Sequence, residues 1–148
     1  MPREARDPSD PRDWLRRVRS NLARAQAGPA SDDVLYDDLC FDAQQAAEKA
    51  LKAVLVAMKV AFPKTHSIER LVGLLREAGL AVPENLDEAA ELTRFAAAAR
   101  YPTWYEDASR EEYLRALELA VRVARWAEDV VAREWRAGGD RADGAGHA

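Results

Sequence analysis

The sequence predicts an all-α fold, a bundle made of two helical hairpins and one further helix. Three observations carry that expectation. Apolar residues recur with the 3.6-residue helical period and nowhere alternate as strands require. Glycine and proline punctuate the chain between the periodic runs, in "AGPAS", at Pro63, at Gly79 and at Pro83. At 148 residues the chain fits one compact domain, enough to bury roughly 70% of its unfolded surface without a metal or disulfide staple.

The first helix is expected from Asp10 to about Ala27, with Trp14, Leu15, Val18, Leu22 and Ala25 on one stripe. Asp10 caps it and Pro11 takes its first position. Its other face, with Arg16, Arg17, Arg19 and Arg24, reads as a solvated basic face. The second helix is expected from Asp32 or Asp33 to about Phe62, closed by Pro63. Leu35, Leu39, Ala43, Ala46, Ala47, Ala50, Val54, Met58 and Val60 form its core stripe, and Asp32, Asp33, Asp37 and Asp38 suit the positive end of its dipole.

A third helix starts near Ser67, turns Ile68, Leu71, Val72, Leu74 and Leu75 inward, and stops at Gly79. A fourth is expected in "VPENLDEAAELTRFAAAA", with Leu86, Ala89, Ala90, Leu92, Phe95 and Ala96 as its apolar members. "RYPTWYEDAS" is an aromatic-rich connection, in which Trp104 and Tyr105 either close the end of the bundle or anchor a partner. The last helix spans about Ser109 to Arg136, capped by Ser109 with Glu111 and Glu112 in its first turn. Tyr113, Leu117, Val121, Ala124, Val131 and Trp135 lie on one face of it; Leu119, Val123, Trp126 and Val130 lie nearly opposite. Two apolar faces call for two neighbours, the second being either a helix of this chain or another subunit. The expected organisation is a flexible 1–9, a bundle over 10–136 and a disordered, glycine-rich 137–148.

Composition narrows the function classes. Cys40 is the only cysteine, so neither an intrachain disulfide nor a cysteine metal cluster is available. No long uncharged apolar run or secretory leader is present, and a cytoplasmic location without membrane contact is expected. The net charge of −4 argues against a whole-domain polyanion binder but leaves room for a local basic patch.

The second helix poses the functional question. At 100° per residue, Asp38, Phe41, Gln45, Glu48, Lys49, Lys52 and Lys59 fall within about 60° of one line, opposite the apolar stripe. One reading is a wet face with a Glu48–Lys52 ion pair at i,i+4 worth about 0.3–0.5 kcal/mol. The other is a docking face, because Phe41 is a large aromatic placed among charges.

"CFDAQQAAEKALKAVL", then "KTHSIERLVGLL", then "ARYP" resembles the HEPN family, from about Trp14 to Val131. The resemblance implies an up-down bundle of about five helices, a homodimer, and a small nucleotidyltransferase encoded nearby as partner, often in toxin–antitoxin pairs. It also implies a non-catalytic domain that binds nucleotide or RNA phosphate and uses no cofactor. Gln45, Glu48, Lys49, Lys52, His66, Arg100 and Tyr101 match the recurring polar positions of such members. Lys49, Lys52 and Arg100 would neutralise phosphate, and Tyr101 or Phe41 would stack a base. His66 would bond a phosphate or cap the third helix; Glu48 with Lys49 would form an internal ion pair. Trp104, Tyr105 and Trp126 are the candidates for partner contact.

The alternative implied by the family is a toxin ribonuclease with a degenerate site. Ribonuclease members carry Arg, four to six residues, then His, the imidazole acting as acid or base and the guanidinium stabilising the charged transition state. After Arg100, positions 105–107 hold Tyr105, Glu106 and Asp107; His66 has Lys59, Val60 and Ala61 upstream, and His147 stands in the tail. The pattern is therefore read as absent, and no catalytic residue is assigned.

Overall fold

The computed structural model describes residues 6–98 and 106–146, with side chains described for 6–96 and 106–135. Its elements are α1 Pro11–Ala27, α2 Tyr36–Ala57, α3 Ile68–Glu77, a 3-10 helix Glu84–Arg94, α4 Phe95–Ala98 and α5 Arg110–Gly146. Among the described residues there is no strand, so the expected all-α class holds.

The helix starts follow local chemistry. The Asp10 carboxylate accepts from Arg12 N at 2.9 Å with Pro11 in the first turn, Ser67 Oγ accepts from Arg70 N at 3.2 Å, and Ser109 with Glu112 forms a reciprocal capping box. The expected start of α2 at Asp32 or Asp33 is corrected to Tyr36. Ser31 holds the preceding residues in a turn, its Oγ accepting from Asp33 N and its carbonyl from Val34 N, both at 3.2 Å.

The end of α2 is also earlier than Phe62. Lys59 adopts φ 59°, Val60 N donates to Leu55 O at 2.9 Å and Lys59 N to Val56 O at 3.0 Å. That is a Schellman closure with lysine at the left-handed position that glycine usually fills. Gly79 closes α3 in the same way, at φ 90°.

The fourth expected helix is mostly a 3-10 helix, with only Phe95–Ala98 α-helical. Its buried residues Leu86, Ala89, Leu92 and then Phe95 recur every third position, which stacks them on one face at three residues per turn but spreads them at 3.6. α5 continues to Gly146, past the Arg136 at which the glycine-rich pattern stops it.

α2 occupies the middle of the bundle, packed along α1 and α5 and touching α3, the 3-10 helix and α4. Both of its sides are covered: Leu39, Ala43, Leu51, Val54 and Leu55 are buried, and so are Asp42, Gln44 and Glu48. α5 buries Leu119, Val123 and Val130 on one apolar face and Tyr113, Ala124 and Val131 on the other, where Leu117 and Val121 stay half-buried. Tyr113 donates its hydroxyl to the Ala25 carbonyl and stacks on Tyr36, joining α5, α1 and α2. Leu114 remains 42% exposed, on one line with the half-buried Leu117 and Val121.

Candidate functional site

The middle of the polar line of α2 is not a wet face, although Asp38 and Lys59 at its ends are exposed. Glu48 is only 4% exposed, and a carboxylate there needs partners on both oxygens. Oε1 accepts from Gln44 Nε2 at 2.9 Å and from His66 Nδ1 at 2.8 Å; Oε2 accepts from Lys52 Nζ at 2.9 Å. Gln44, fully buried, accepts in turn from Gln45 Nε2 at 2.7 Å. Burial pushes the Glu48 carboxyl up, but the hydrogen bonds from Lys52, His66 and Gln44 outweigh it and leave the group below its ordinary value.

The expected Glu48–Lys49 pair is corrected: Glu48 pairs with Lys52 and His66, while Lys49 turns toward α1. His66 does not cap α3 either, since Ser67 does, and its imidazole reaches back to Glu48. The Glu48–Lys52 pair exists at the predicted spacing, but its side chains are 5% and 12% exposed, so it is an interior pair. Lys52 also lies 5.8 Å from the centroid of Phe62.

A second polar cluster joins α2 to α1. Lys49 Nζ donates to Asn21 Oδ1 at 2.8 Å, Asn21 Nδ2 donates to Asp42 Oδ1 at 2.9 Å, and Arg24 Nη2 reaches the same carboxylate oxygen at 2.7 Å. Burial lowers Lys49, Arg17 and Arg24 lower it further, and Glu48 and Asp42 act in the opposite sense. Of the basic face expected on α1, Arg16 and Arg17 engage Asp13, Arg19 meets Glu128, and Arg24 meets Asp42.

Asn21, Asp42 and Gln44 were not singled out by sequence reasoning. The available signal is registry: Asn21 and Arg24 are three apart on α1, Asp42 and Lys49 seven apart on α2, so each pair shares a face. Of the sequence-predicted residues, Gln45, Glu48, Lys52 and His66 meet in one cluster and Lys49 joins the other. Phe41 is half-buried on α2, and Trp126 is half-buried against the core. Arg100, Tyr101, Trp104 and Tyr105 lie outside the described residues. Cys40 is buried, and burial raises its thiol to about 12, which makes it a core residue rather than a nucleophile.

One sequence reading needs correction. The Arg-x4–6-His spacing is missing after Arg100 but occurs later, where residues 142–146 separate Arg141 from His147. Arg141 falls on α5, and His147 lies outside the described residues. Among the described residues, no group of His, Cys, Asp and Glu side chains could hold a metal ion, and no helix is long and apolar enough to cross a membrane.

Residues 11–130 match the HEPN domain. The chain belongs to the HEPN domain family. TT1696 from Thermus thermophilus is similar at 37% identity and a TM-score of 0.71, over 81% of this chain and 97% of that one. ST0689, described as an archaeal HEPN homologue, shares the fold at 23% identity and a TM-score of 0.63, over 82% of this chain and 98% of its own. No curated protein matches. The residues matched to the HEPN domain include the α2 network and both faces of α5.

Proposed function

We propose that this HEPN chain is a non-catalytic, homodimeric companion of a small nucleotidyltransferase, to which it presents a nucleotide- or phosphate-accepting surface. The observation that carries the reading is the division of labour on α2. Glu48, Lys52 and His66 satisfy one another, whereas the Lys49 ammonium bonds only the neutral Asn21 oxygen among the described residues. A cation without a carboxylate partner is the natural receiver of an anionic group. At the spacing after Arg100 where a catalytic imidazole would stand, Glu106 and Asp107 are exposed acids and repel an RNA phosphate.

Dimerisation is supported by the Leu114, Leu117 and Val121 stripe, bordered by Glu118, Arg122 and Arg125 around a hollow of about 650 Å³. Opposite charges flanking one apolar stripe suit a two-fold, self-complementary pairing. The test is co-purification with the nucleotidyltransferase encoded beside this chain, followed by titration of the complex with a nucleoside triphosphate. A complex that binds nucleotide, weakened by Lys49→Ala, is expected. No association, or a complex that takes up no nucleotide, overturns the reading.

The Arg141–His147 spacing favours a second reading, a ribonuclease with a displaced motif. Incubation of the purified chain with structured RNA decides it. Cleavage lost both on Arg141→Ala and on His147→Ala would establish it, and intact RNA would remove it.

A further inference from the structure

Between the N-terminal segment, α1 and α2 lies a hollow of about 390 Å³ lined by Arg6, Pro8, Asp13, Trp14, Arg17 and Lys49. Apart from Lys49, none of these residues belongs to the polar positions matched on sequence. The hollow is built rather than incidental. Trp14 Nε1 donates to the Pro8 carbonyl at 2.9 Å, and the indole packs edge-on against Phe62 with centroids 6.2 Å apart. Both contacts fix the indole as one wall.

The cationic wall is equally held. Asn21 gives its Nδ2 to Asp42, which forces its oxygen toward Lys49 and aims that ammonium. Asn21 takes one of three ammonium donors, so two remain for a ligand. Asp13, the one acid in the wall, is already occupied by Arg16 at 3.0 Å and Arg17 at 3.5 Å. Three cations, Arg6, Arg17 and Lys49, therefore line one small concavity with a single carboxylate, Asp13, which Arg17 shares with Arg16 from outside the hollow. Such convergence is unfavourable when empty, and the lowering of Lys49 by burial and by Arg17 records that cost. An anion relieves it.

We propose that this hollow is a binding site for the phosphate group of a small phosphate ester, held by Arg17, Lys49 and Arg6, with the Trp14 indole taking the planar group the phosphate carries. A guanidinium and an ammonium converging on one point match a phosphate dianion, and an aromatic wall beside them selects an ester with a flat ring over inorganic phosphate. The volume falls in the lower range of small-molecule pockets, which suits a mononucleotide rather than a polymer. The proposal deepens the ligand-binding half of the function proposed above and rests on it only for the class of ligand.

The test uses the free full-length chain, titrated calorimetrically at low salt with adenosine 5′-monophosphate, inorganic phosphate, adenosine, and an oligoribonucleotide lacking terminal phosphate. The monophosphate is expected to bind, inorganic phosphate more weakly, adenosine and the oligonucleotide not measurably. Arg17→Gln and Lys49→Met each weaken monophosphate binding roughly ten-fold or more, the loss of one charge-assisted contact. Trp14→Phe weakens the monophosphate by a few-fold and leaves inorganic phosphate unchanged, and Lys64→Met, a substitution at an exposed lysine outside the hollow, changes neither. Because Lys49→Met leaves the Asn21 oxygen unpaired, Arg17→Gln decides the case if that variant fails to fold. The Lys49 ammonium, followed by NMR, is expected to titrate at higher pH when the monophosphate is bound.

Absence of monophosphate binding, binding unaltered by Arg17→Gln, or binding of the oligonucleotide alone overturns the proposal. These outcomes are separable from those for the companion reading. The hollow stands if the free chain binds the monophosphate but captures no nucleotidyltransferase, and it falls if the partner is captured while the monophosphate is ignored.

Discussion

Replacing Glu48 tests whether the α2 line is an interior network or an ordinary helix face. Glu48→Ala removes the acceptor for Lys52, His66 and Gln44 at once and strands an ammonium that is only 12% exposed. Removing one partner of a buried ion pair costs about 3–5 kcal/mol. Lys52 retains a sliver of solvent and the Phe62 ring 5.8 Å away, so the lower end, about 3 kcal/mol, is expected. For a domain of this size that lowers Tm by about 10 °C. Glu48→Gln keeps the shape but loses the charge and replaces one accepting oxygen with an NH2 that meets a donor, so a cost of about 1–3 kcal/mol is expected. Lys52→Met closes a double-mutant cycle with Glu48→Leu, and the pair is expected to be less damaging than the sum of the singles by about 1–2 kcal/mol. Urea unfolding followed by far-UV circular dichroism measures each variant. A cost below about 1 kcal/mol for Glu48→Ala, with no coupling to Lys52, would refute the interior network and restore the wet-face reading.

The same carboxylate sets an acid limit. Its pKa is depressed in the folded state, so its stabilisation is complete above the ordinary carboxyl range, about pH 4.3–4.5, and is lost as pH falls through the lower folded value. Urea midpoints measured from pH 6 downward should fall less steeply in Glu48→Gln than in the parent; equal slopes would show that Glu48 does not contribute. Lys59→Gly, at φ 59°, should stabilise the end of α2 by about 0.5–1 kcal/mol, read as a rise in urea midpoint. Leu114→Glu, at a site 42% exposed, should leave Tm within about 2 °C and convert a dimer to a monomer in light scattering; an unchanged mass would remove this stripe from the dimer interface.

What was legible in the sequence and what was not divide by range. Asp10, Ser67 and Ser109 mark helix starts because a cap is a contact between residues two or three apart, and the structure uses all three. The Lys59 closure has no such mark, because lysine stands where glycine would have announced a left-handed residue. The 3-10 helix was visible in principle: Leu86, Ala89, Leu92 and Phe95 keep a period of three, but Ala90 and Ala96 blurred it into an α-helical stripe. The polar line of α2 was legible as one face, and the sequence left it open between a wet face and a docking face. Nothing within α2 reveals that Asn21 comes from α1 and His66 from the turn before α3; burial of a charged face is decided by partners that arrive through the fold.

That distinction bears on where affinity for an anion can come from. Lys52 is charged and stands one turn from Glu48, yet drawing its ammonium onto a phosphate would strip the buried carboxylate of its strongest donor. The cost, of order 3 kcal/mol, would cancel most of a new charge-assisted contact. Lys49 carries no such commitment. Its partner is a neutral amide held in place by Asp42, and the nearby Arg17 gains from an arriving anion. Two lysines a single turn apart are therefore unequal, one committed to the interior and the other placed to act at the surface. Substituting each in turn separates stability from binding: Lys52→Met should move the urea midpoint and spare phosphate affinity, and Lys49→Met should weaken affinity.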